Sequence, residues 1–98
     1  MPQPIQSTQT TEIEREVRNF VVEHFLAGHA EKLRDDGSLL GDVIDSMGVL
    51  DLVAYLQDRF KITVEDDEVM PSNLDNINNL AAYVARKLDA KALASARA

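Results

Sequence analysis

A chain of 98 residues holds one domain, and with its polar ends set aside it leaves roughly eighty residues to build a core of modest stability. The absence of Cys excludes disulfides, thiolate metal sites and cysteine nucleophiles together, and a formal charge of −7 excludes the basic face that nucleic-acid binding requires. No run is apolar and long enough to cross a membrane and no signal peptide is recognisable, so a cytoplasmic chain without membrane insertion is expected.

Residues 1–11, beginning MPQPIQSTQT, are polar and without helical or strand period, and are expected to form a disordered tail ahead of a folded domain at 12–88. The first helix reads TEIEREVRNFVVEHFL. Thr11 and Glu14 have capping-box spacing, which makes Thr11 its expected N-cap. Ile13, Val17, Phe20, Val21 and Phe25 form its core stripe, and Gly28 is its expected stop. Residues 29–45 form a long connection broken by Gly37 and Gly41, which Leu39, Leu40, Val43 and Ile44 are expected to pin to the bundle.

The second helix, Ser46 to Phe60, carries two apolar stripes. At about 100° per residue, Val49, Leu52, Val53, Leu56 and Phe60 fall within about 60° of one direction, the spacing of a face that packs inward. Met47, Leu50 and Ala54 form a shorter stripe about 130° away. Either a bundle wraps this helix on two sides, or the second stripe faces water or a partner.

Beyond it, Ile62 and Val64 alternate with polar residues in a run too short for a strand, read as an extended linker burying two side chains. Glu65 to Met70 is expected to make one or two short helical turns ended by Pro71. Asp75 or Asn76 caps the last helix, whose stripe is Ile77, Leu80, Ala81, Val84 and Leu88, with Arg86 and Lys87 placed near its C-terminal end. Residues 89–98 are an Ala-rich tail able to extend that helix. The fold expected is all-α: a small bundle of three long helices and one short one, with a long loop between helices one and two.

From Asp35 to Glu68 there are ten acids and two bases, a net of −8 in a third of the chain. Such a surface steers toward basic patches on other proteins, or merely keeps the chain soluble. Catalytic and metal chemistry find little support. Ser46 has Gly48 two residues on but Ile44 two residues before, so the glycine pair of a nucleophile elbow is incomplete. His24 and His29 lack metal-ligand spacing, and Glu65, Asp66, Asp67 and Glu68 lack the alternation of a calcium loop. No enzymatic role is expected. Ser46 reads either as an N-cap or as a hydroxyl offered to a modifying enzyme, and pattern alone leaves these open.

The string IDSMGVLDLVAYLQDRFKITVEDDEV, followed by NLDNINNLAAYV, resembles the acyl or peptidyl carrier proteins over roughly residues 12–88. In that family an Asp-Ser-Leu/Met motif opens helix two. The resemblance therefore implies that Asp45-Ser46-Met47 is the attachment motif and that Ser46 receives 4′-phosphopantetheine from coenzyme A through a phosphopantetheinyl transferase, giving a phosphoprotein. It also implies that an acyl or aminoacyl group rides on the arm as a thioester, and that Met47, Leu50, Asp51, Ala54 and Asp58 meet ligase or synthase enzymes bearing basic patches. A monomer is expected. Gly48 and Gln57 stand where carriers of fatty acid synthesis commonly have an acid, and Asp-Ser-Met-Gly is closer to stand-alone carriers of specialised pathways, including those loaded with amino acids by a ligase. A non-modified helical adaptor using the second stripe is the alternative.

Overall fold

The computed structural model describes residues 5–34, 37–41 and 43–97. Asp35, Asp36 and Asp42 of the acidic run, and residues 1–4 of the expected tail, lie outside them. Among the described residues four α-helices form: α1 Ile5–Phe25, α2 Ser46–Phe60, α3 Pro71–Leu74 and α4 Ile77–Arg97, with single 3₁₀ turns at Ala30–Lys32 and Asp66–Glu68. Among the described residues the only β pairing is an isolated bridge between Leu40 and Ile44. Three long helices and one short one make the expected all-α bundle.

α1 begins at Ile5, so Thr11 lies within the helix and is not its N-cap, and residues 5–11 belong to α1. The physical reason is that no helix breaker stands between Pro4 and Gly28, and Ser, Thr and Gln are tolerated in a helix interior. At its other end the helix stops at Phe25. Ala27 takes the left-handed conformation (φ 51°), Gly28 follows (φ 86°), and the Gly28 N–H returns to the Val22 carbonyl at 2.9 Å. The stop is thus spread over two residues, the first of them not glycine.

α2 has the bounds read from its periodicity. It runs antiparallel to α1. Asp51, near its start, meets His24, near the end of α1, while Arg59 and Tyr55, further along, meet Glu16. Between the two helices lies an aromatic stack, with Phe20 and Tyr55 parallel at 4.0 Å between ring centroids and Phe60 edge-on to Tyr55 at 6.1 Å. α4 runs parallel to α2, with Lys91 donating to the carbonyl of Lys61 just past the end of α2. The shared core consists of Ile13, Val17 and Val21 of α1, Leu52, Leu56 and Phe60 of α2, and Ile77, Leu80, Ala81 and Val84 of α4. Phe20, Phe25, Val49, Val53 and Leu88, read as stripe members, are only partly buried at its rim.

Ile62 and Val64 are buried as read, and the segment carrying them is held by Gln57, whose side-chain oxygen accepts from the Val64 N–H at 2.9 Å. The short α-helix lies after Pro71 and not before it. Glu65–Met70 makes only the Asp66–Glu68 3₁₀ turn, and Pro71, its φ already helical and its missing N–H costless at a first turn, starts α3. Arg86 and Lys87 stand mid-way along α4 because that helix continues to Arg97. They bind Asn73 and Glu68 instead of serving the helix end.

Candidate functional site

The head of α2 is assembled by three neighbouring residues with different tasks. Ile44 is buried and anchors the chain as it arrives. Asp45 adopts an extended backbone and is the N-cap, its Oδ1 accepting the Gly48 N–H at 2.7 Å while its carbonyl accepts that of Val49 at 3.0 Å. Ser46 is the first helical residue, exposed, and its hydroxyl makes no hydrogen bond among the described residues. Of the two readings its pattern left open, capping therefore falls to Asp45, and the Ser46 oxygen is left facing outward.

Gly48 is buried against α1. A Cβ there would lie 2.8 Å from Phe25 Cε1 and 3.1 Å from Ile44 Cγ2. Any side chain at this position would have to displace the Phe25 ring. Gln57 ties down the segment that leaves α2, its side-chain oxygen accepting the Val64 N–H.

The loop that delivers the site is fastened from below by Asp75, at the junction of α3 and α4. Its carbonyl accepts the Leu39 N–H, and its Oδ1 accepts the Ser38 hydroxyl at 2.7 Å and the Leu40 N–H at 3.1 Å. The Ser38 hydroxyl above all, with the Leu40 and Leu39 N–H groups, holds this carboxyl below the usual range. Asn76, not Asp75, caps α4, accepting the Asn79 N–H at 2.7 Å. The role of Asp75 escaped sequence reasoning, because an Asx pair before a helix signals a cap and nothing in it signals a loop more than thirty residues upstream.

Beside Ser46, the second stripe is open: Met47 is 71% exposed, Leu50 63%, and Ala54 is exposed as well. Asp51 and Asp58 border it. Asp58 is almost wholly in water, with Lys61 at 4.0 Å, and Asp51 is paired with His24 at 3.1 Å. No group of His, Asp or Glu suited to a metal ion occurs among the described residues.

The family model described as "Phosphopantetheine attachment site" matches residues 29–84, from the loop through most of α4. The chain belongs to that family. A protein of Serratia sp. named "Probable acyl carrier protein PigG" is 27% identical over 75 residues, covering 76% of this chain and 86% of that one. The "Acyl carrier protein" of Exiguobacterium sibiricum is 40% identical over 40 residues, covering 41% of this chain and 48% of its own. The chain is thus a carrier, a protein that bears a covalent phosphopantetheine arm. The head of α2 fits such a group on its own terms. It has an exposed hydroxyl not spent on capping, at a helix N-terminus whose partial positive charge favours a phosphate ester.

Proposed function

We propose that Ser46 is the attachment residue of this carrier, and that it transports an acyl or aminoacyl group between enzymes of a specialised pathway. One observation carries the assignment: Ser46 is the hydroxyl at the head of α2 that is exposed and relieved of capping by its neighbour. When bound, the arm supplies the thiol that a Cys-free chain lacks, and cargo rides on it as a thioester. Asp45 keeps the helix start in place, and Met47 flanks the ester with an apolar side chain. Met47, Leu50 and Ala54, bordered by Asp51 and Asp58, form the face offered to the phosphopantetheinyl transferase and to loading and consuming enzymes with basic patches.

Intact mass after incubation with coenzyme A and a broad-specificity phosphopantetheinyl transferase tests the assignment. The wild type is expected to gain one phosphopantetheinyl group and Ser46→Ala none. A gain that persists in Ser46→Ala moves the site elsewhere. No gain with several transferases favours a non-modified adaptor acting through the same open stripe.

A further inference from the structure

Asp51 is not a free carboxylate. It lies about 7–8 Å along the axis of α2 from Ser46, and its Oδ2 is 3.1 Å from Nε2 of His24, which projects from the last turn of α1. The imidazole is set in place by more than this contact. Its ring stacks on Phe20 at 4.9 Å between centroids, and Phe25 meets it edge-on at 4.7 Å. Both side chains remain accessible, 45% exposed for His24 and 60% for Asp51. A cationic group on a partner therefore shares Asp51 with the histidine, which already engages one of its two oxygens.

Protonation sets the terms of that competition. A neutral imidazole lends at most one N–H and leaves the carboxylate its full charge, while an imidazolium cancels that charge at contact distance. Histidine is the side chain that ordinarily changes charge between pH 5 and 8. Among the described residues, these titratable groups stand near it. From α2 these are Asp51 itself and Tyr55, the latter across the Phe20 ring. At the head of α2, Asp45 is committed to the Gly48 N–H. On α1, Glu23 lies toward Gly28, and after it His29 is paired with Glu31.

We propose that His24 is a built-in competitor for Asp51, loosening the grip of the docking face on cationic partners when it is protonated. The inference rests on the reading of α2 as the docking face and deepens it. It describes a partner surface with a cation opposite Asp51, beside sockets for Met47 and Leu50, and an engagement that weakens as the pH falls. An exposed ion pair supports a change of roughly two- to fivefold, largest at low ionic strength.

The test is the apparent KM of the carrier as substrate of one transferase, from pH 5.5 to 8 at fixed low salt, for wild type, His24→Gln, His24→Lys and Asp51→Asn. Dividing wild type by variant at each pH cancels the titration of the enzyme. The ratio of wild type to His24→Gln is expected to climb roughly two- to fivefold between pH 8 and pH 5.5. His24→Lys should hold a raised KM throughout. A flat ratio, with Asp51→Asn still raising KM, overturns the competitor role and leaves the docking face standing. If Asp51→Asn leaves KM untouched while Ser46 is still modified, the docking reading of Asp51 fails and the inference with it.

Discussion

Asp45 and Ser46 are adjacent, both polar and both exposed, yet the fold spends them differently. A carboxylate in extended backbone accepts one of the unpaired N–H groups of the first turn, and the hydroxyl one residue later is past the geometry for doing so. Removing the cap should therefore cost stability, while removing the hydroxyl should cost only modification. Asp45→Ala is expected to lower the unfolding free energy by about 1 kcal/mol in urea titrations, and Ser46→Ala to stay within about 0.5 kcal/mol of wild type. Equal losses would return the capping role to Ser46. Two residues on, Gly48 is hemmed in by contact and not by backbone angle, since a side chain there would require the Phe25 ring to shift.

Between elements, the molecule relies on carboxylates that each gather several donors. Asp75 joins the α3–α4 junction to the loop before α2, and Glu68 joins the Asp66–Glu68 turn to α4. Glu68 Oε1 accepts from the Glu65 N–H at 3.0 Å, from Tyr83 at 2.9 Å and from Lys87 at 2.9 Å. The Glu65 N–H first, then Lys87 and Tyr83, hold the Glu68 carboxyl below its usual range. The same contact, after burial, pushes the Tyr83 hydroxyl well above its own. For both carboxyls the folded pKa lies below the unfolded one. Their stabilisation is therefore complete above the unfolded carboxylate range near pH 4 and is lost as the pH falls through the folded values. Thermal unfolding midpoints measured from pH 6 to pH 2.5 should fall more steeply for wild type than for Asp75→Asn, whose amide does not titrate. Parallel curves would remove the loop clamp from the account.

Across the whole molecule, α2 is divided around its circumference. By helical geometry Leu52, Leu56 and Phe60 point into the core, Gly48, Tyr55 and Arg59 lie about 80° to one side against α1, and Met47, Leu50 and Ala54 are left over. That division separates the effects of two apolar substitutions. Phe60→Ala is expected to cost on the order of 3–5 kcal/mol, since the ring is buried beneath Tyr55 and Arg59. Leu50→Glu is expected to leave thermal unfolding almost unchanged while lowering turnover by partner enzymes, because its side chain already stands in water. Unfolding of Leu50→Glu at lower temperature would show that the second stripe is packed after all.

The bounds of α2, both of its stripes and the buried pair Ile62 and Val64 were legible in the chain, because helical and extended periods are local and repeat within a few residues. Around Ser46 the local pattern left capping and an offered hydroxyl open, and the cap proves to be Asp45. What came only from the tertiary structure lies far apart in the chain. His24 meets Asp51 across 27 residues, and Ser38 and Leu40 meet Asp75 across 37 and 35. These pairings depend on how α1 lies against α2 and where the long loop crosses the α3–α4 junction, and no local period encodes either. The start of α1 was misjudged because polar residues without a stripe still make a helix once the turns after them are packed. Residue order alone thus marked the inward stripe of α2 and left its second stripe open, whereas packing between distant helices set the Phe25 ring beside Gly48 and placed His24 against Asp51.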